Sequence, residues 1–116
     1  MKKTNNKIYL PSLAKYIDKK SLLNKIATYL FTTTTTETST GNWCTDASEV
    51  DQALDLPLHT TQTLASEVEA TLNKYYKHQI SYLEVYADDD DIVFDISIYD
   101  SFIIGFICDD ACLTDE

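Results

Sequence analysis

The sequence predicts an α+β fold, with N-terminal helices packed on a three-stranded, mostly antiparallel C-terminal sheet. Apolar residues recur at helical spacing in the middle of the chain, most clearly over 61–77. From Ile80 the pattern changes to a two-residue alternation rich in Ile, Val, Tyr and Phe. The stretch from Gln79 to Glu116 also holds eleven acids and neither Lys nor Arg. Chains bury few carboxylates, so the sheet is expected to carry a negative rim.

At 116 residues the chain is expected to form one acidic domain, 1–116, with a single core. A hydrophobic content of 44% is that of a globular protein. The net charge of −10 opposes free nucleic acid and anionic membranes, and favours basic proteins or cations as partners. The charge is segregated. Residues 1–25 hold seven Lys against Asp18, and 26–73 hold seven acids and no base. There is no Arg, the residue best suited to bidentate phosphate recognition, which counts against a phosphate-handling enzyme. Cys44, Cys108 and Cys112 make an odd count, and no apolar leader follows the basic start. Reduced thiols in a cytoplasm are the expectation. No run is long enough to span a membrane.

Along the chain, 1–10 reads as a flexible polar lead ending in a short strand, Ile-Tyr-Leu. Pro11-Ser12 opens one helix or two over 12–31, interrupted at Asp18-Lys-Lys-Ser. Residues 32–45 are a Thr-rich strand and loop, with the strand at Thr32–Thr36 because threonine is stiff at χ1. Asp46-Ala-Ser-Glu49 is a capping box for a helix over 46–54, with Val50, Ala53 and Leu54 inward. The helix over 61–77 turns Leu64, Val68, Leu72 and Tyr75 to the core, with Ala65 and Tyr76 widening the stripe.

Ile80–Ala87 is a strand with Leu83 and Val85 inward and Ile80, Tyr82, Glu84 and Tyr86 outward. Asp88–Asp91 is a turn. Ile92–Tyr99 returns with Phe94, Ile96 and Ile98 inward, and Asp95 and Ser97 opposite. Phe102–Cys108 is the third strand, and 109–116 is an acidic tail that frays.

The order of helix 46–54, turn Leu56-Pro57-Leu58, helix 61–77 and hairpin 80–99 resembles that of a winged helix over about half the chain. A groove-reading second helix would present Lys, Arg, Asn or Gln. This one presents Ser66, Glu67, Glu69 and Thr71, so direct DNA binding is not expected.

Chemistry-bearing patterns are sparse. Asp88–Asp91 lacks the glycine and terminal glutamate of a calcium loop. Cys108 and Cys112 have only Cys44, His59 and His78 to complete a zinc site, without stereotyped spacing. Neither His lies in a nucleophile motif, and two glycines in all leave little means of cradling a phosphate. The expectation is therefore no catalytic residue, no metal and no cofactor.

The acids and tyrosines point instead to a protein-binding surface. Glu84 and Asp95 on strands, Asp88, Asp89, Asp90 and Asp91 at their tip, and Glu67 and Glu69 on the helix form the candidate array. Tyr82, Tyr86 and Tyr99 are the candidate anchors. The expected function is a small inhibitor of a basic nucleic-acid-handling protein, acting by nucleic-acid mimicry. An anti-restriction or anti-CRISPR protein of a phage or mobile element fits this physics. The alternatives are an immunity protein against a toxin nuclease, a winged-helix-like scaffold without enzymatic activity, and a small hydrolase. The acids also serve solubility, whatever they bind.

Overall fold

The computed structural model describes residues 7–38 and 40–99. In chain order these form β1 (Lys7–Leu10), β2 (Lys15–Asp18), α1 (Lys19–Glu37), β3 (Asn42–Asp46), α2 (Ala47–Ala53), α3 (Thr60–Thr63), α4 (Ala65–Tyr75), β4 (Ile80–Asp88) and β5 (Asp91–Ile98). The fold is α+β, with helices on a three-stranded antiparallel sheet ordered β3-β5-β4. From α1 to β5 the elements run helix, strand, helices, hairpin, which is the winged-helix order. A separate hairpin, β1-β2, precedes it.

One apolar cluster joins the layers. Leu22, Ile26 and Leu30 of α1, Val50 of α2, Val68 and Leu72 of α4, and Phe94 and Ile96 of β5 are all fully buried. Leu10 of β1 joins them, which ties the N-terminal hairpin to the core. Phe31 stacks on Tyr76 with centroids 4.3 Å apart, closing the seam between α1 and the end of α4.

Several boundaries differ from the sequence expectation. Pro11-Ser12 does not open a helix. Leu10 and Pro11 carbonyls accept from the Leu13 and Ala14 amides, both at 3.1 Å, and Ala14 turns left-handed at φ 53° to make a hairpin. Asp18 interrupts nothing; it caps the start of α1 by accepting from the Ser21 amide at 3.0 Å. The threonine run is not a strand but the last turns of α1. The Thr34 and Thr36 hydroxyls donate to the Leu30 and Thr32 carbonyls at 2.9 Å, an i−4 contact that lets threonine sit in a helix. The third strand of the sheet is Asn42–Asp46, in what reads as loop; Phe102–Cys108, Cys108, Cys112 and the acidic tail lie outside the described residues.

The 61–77 helix is two, offset at Leu64 (φ −96°, ψ 9°), and its Tyr75 faces out while Tyr76 packs inward. On α2 the inward residue is Asp51 rather than Ala53. Ile80 is buried, not outward, because an irregularity between Ile80 and Tyr82 shifts the register of β4 against β5 and reverses its parity.

Candidate partner-binding site: the outer sheet face and its acidic end

The helices cover one face of the sheet, with Phe94, Ile96 and Ile98 against them. The pairing register then assigns the other face. Tyr82 stands opposite Ser97, Glu84 opposite Asp95, Tyr86 opposite Val93, and Asp88 opposite Asp91. On the far side of β5, Asn42, Cys44 and Asp46 pair with Ser97, Asp95 and Val93. No position of this face is Lys or Arg. Two rungs of facing carboxylates, Glu84/Asp95 and Asp88/Asp91, are separated by the Tyr86/Val93 rung. Four residues of strand place them about 13 Å apart. Like charges directly opposite each other destabilise a sheet, so this arrangement is held against a local cost.

Hydrogen bonds stiffen the face. The Tyr82 hydroxyl donates to Glu84 Oε1 at 2.5 Å. That bond, with burial and the surrounding acids, pushes the Tyr82 phenol up to about 12. Asn42 Nδ2 donates to Asp95 Oδ1 at 2.7 Å and to Ser97 Oγ at 2.8 Å, bridging β3 and β5. Burial and the charge of Asp95 push the Cys44 thiol up, so it stays protonated and a poor nucleophile. Tyr82 and Tyr86 remain 48% and 38% exposed, enough to be offered to a partner.

At the hairpin end, Asp88 and Asp91 are the last paired residues, and Asp89 turns left-handed at φ 56°. This end meets the start of α2. Ser48 donates to Asp91 through its hydroxyl at 2.5 Å and its amide at 3.3 Å, and the Ile92 amide adds a third bond at 2.8 Å. Burial pushes the Asp91 carboxyl up, but these bonds and the nearby His59 outweigh it and hold it below the usual range. Asp46 goes the other way: burial, then Asp91, Glu49 and Asp88, raise it.

The Asp91 shift sets a sign for acid stability. A lowered folded value contributes stability that is present above the ordinary carboxylate range and lost as pH falls through the folded value. Asp91→Asn is therefore expected to be less stable than wild type near neutrality, with the gap closing at acid pH. Urea melts over a pH series check this; a gap that widens on acidification would contradict the hydrogen-bonding account.

The structure brings together Tyr82, Glu84, Tyr86, Asp95 and Asp88–Asp91. Tyr99 lies one residue beyond β5, exposed, with its amide bonded to the Gln79 carbonyl at 3.1 Å. Glu67 and Glu69 belong to α4, which packs on the opposite face of the sheet. Glu67 is not a free acid; it pairs with Lys19 at 2.6 Å. What the sequence reading passed over is the acidic cleft of about 340 Å³ beside the hairpin end, where Asp46, Asp51 and His59 join Asp88–Asp91. The capping box explains Asp46, whose amide donates to Glu49 at 3.1 Å. The polar Asp51 at an inward helix position was the available signal for the rest.

Comparison with known proteins adds little. No family matches the chain, and no curated protein matches it. A solved structure from S. cerevisiae, Stn1 C-terminal, resembles it at 16% identity and a TM-score of 0.46, over 74% of this chain and 51% of that one. The chain thus spans about half the length of that solved chain, and the likeness carries no information on binding. No helix among the described residues is long and apolar enough to cross a membrane.

Proposed function

We propose that the protein is an inhibitor that grips a basic nucleic-acid-handling protein through the outer face of β3-β5-β4 and its acidic end. The observation that carries this reading is the pair of facing carboxylate rungs with Tyr82 and Tyr86 exposed among them. A basic groove laid over the rungs would relieve their mutual repulsion, and the tyrosines would supply packed anchors. The rows of carboxylates then stand where a nucleic acid would place phosphates. The same charges oppose duplex DNA itself. The hairpin tip and second helix are acidic at positions where a DNA-reading winged helix needs cations. An anti-restriction or anti-CRISPR role and an immunity role against a toxin nuclease share this physics. The identity of the captured protein separates them.

The test is capture of the partner, followed by association kinetics over a salt series. Changing Asp88–Asp91 together to Asn is expected to slow association and flatten its salt dependence, since exposed charges steer over about 8 Å at physiological ionic strength. Stability is expected to fall by no more than Asp91→Asn alone costs, because Asp88, Asp89 and Asp90 are exposed acids that contribute little to folding. Duplex DNA in the same assay should give no binding. Wild-type rates for the four-Asn variant at every salt concentration would remove the tip from the interface.

The winged-helix order favours one second reading, a non-catalytic scaffold in a larger assembly. Stoichiometric capture that leaves the partner's activity intact would select it.

A further inference from the structure

Asp51 lies on α2 with 2% of its surface exposed, yet only half of its carboxylate is satisfied. Oδ1 accepts from the Thr61 amide at 2.9 Å and the Thr61 hydroxyl at 2.7 Å, which anchors the start of α3. Oδ2 is buried without a hydrogen-bond partner among the described residues, and Asp51 lines the acidic cleft. A buried carboxylate oxygen left unpaired is costly, and in a residue that lines a cleft a donor entering from outside would match it.

We infer that this cleft is a receptor for a single guanidinium group, an arginine side chain of the basic partner, with Asp51 Oδ2 as its innermost acceptor. The charge environment calls for a cation: Asp46, Asp88 and Asp91 surround the same cleft, and burial, with Asp91, Glu49 and Asp88 adding to it, pushes the Asp46 carboxyl up. The spread of the carboxylates selects among cations. Among the described residues no three ligating groups converge closely enough to hold a metal ion. A guanidinium is suited to dispersed acceptors, because its five donors lie in a plane and reach two carboxylates at once. It is also weakly hydrated and so enters a half-enclosed site at lower cost than an ammonium. His59 stands at the cleft with Nδ1 2.9 Å from Gln62 Oε1, which fixes the ring beside the opening. This inference rests on the reading of this end of the sheet as the partner-binding surface, but its test needs no partner.

The experiment titrates the protein with agmatine at constant ionic strength and follows amide shifts by NMR. Tetramethylammonium and calcium chloride are the parallel arms. Agmatine is expected to give saturable shifts at Ser48, Asp51, His59 and Thr61, and tetramethylammonium none that saturate. Asp51→Asn keeps an oxygen for Thr61 but removes the inner charge, and is expected to weaken agmatine about tenfold, the worth of one charge-assisted hydrogen bond. Asp46→Asn, which keeps a good helix cap, gives a second variant should Asp51→Asn perturb the fold. Glu37→Gln, at the exposed end of α1, is expected to leave agmatine binding unchanged.

Three results would overturn the inference: no saturable agmatine response in the wild type, equal affinity in both cleft variants, or calcium bound at the same residues far more tightly than agmatine. Agmatine binding in a protein that captures no basic partner would uphold the cleft and remove the proposed function. Capture of a basic partner without agmatine binding would do the reverse.

Discussion

Asp51→Ala is expected to cost about 2–3 kcal/mol of folding stability, the loss of two hydrogen bonds to a charged acceptor with a buried amide left unpaired. Thr61 is the group left stranded: it is fully buried, and both its amide and its hydroxyl donate to Asp51 Oδ1. For a chain of this size such a loss lowers the melting temperature by roughly 10–20 °C. Relief of repulsion from Asp46 and the hairpin acids offsets part of the cost, which is why the figure stays below the full penalty of breaking a buried ion pair. Asp51→Asn separates the two oxygens' roles. Its amide oxygen can still accept from Thr61, and its new N–H group can donate to the carboxylates of the cleft. This variant is expected to melt near or above wild type. A melt in which Asn is as damaging as Ala would show that the negative charge, not the Thr61 contact, holds α3 in place.

Tyr86→Ala is expected to raise the partner's dissociation rate about thirtyfold, the equivalent of about 2 kcal/mol for a central aromatic anchor. Tyr86 sits on the rung between the two carboxylate pairs, so a protein bound to this face would enclose it most fully. Tyr82→Ala is expected to have a similar effect for a second reason: it also frees Glu84 from the hydroxyl that holds it. Tyr82→Phe keeps the ring and loses only that bond, and should fall between alanine and wild type. Association rates should change little for all three, since steering comes from the acids. The readout is dissociation kinetics against the captured partner. Unchanged dissociation for both alanine variants would place the interface away from this face.

The parts of the fold that were legible are those where local pattern and tertiary need agree. The β4-β5 hairpin reads from its alternation, and its inward residues Phe94, Ile96 and Ile98 are buried as that alternation requires. The cap at Asp46 and the apolar stripe of Leu64, Val68 and Leu72 are equally local signals. The threonine run misled because intrinsic preference for strand is a weak prior. Once Leu22, Ile26 and Leu30 commit α1 to the core, the hydroxyls of Thr34 and Thr36 bond back into the helix and extend it.

The sequence by itself determined the chemical character of the site: many carboxylates, interleaved tyrosines and no cation from Gln79 onward. It also determined which residues of β5, and of β4 from Tyr82 onward, share a face, because side chains alternate along a strand. Only the tertiary structure decided what joins them. Asn42–Asp46 has no long apolar run, and it is a strand because β5 offers it an unpaired edge. Its pairing brings Cys44 and Asp46 beside Asp95 and Val93, more than forty positions away in the chain. The same packing removes Glu67 to the far side, paired with Lys19, and turns Asp51 inward. Local periodicity carries no record of such long-range contacts. The acidic cleft exists only where α2, α3 and the hairpin end meet.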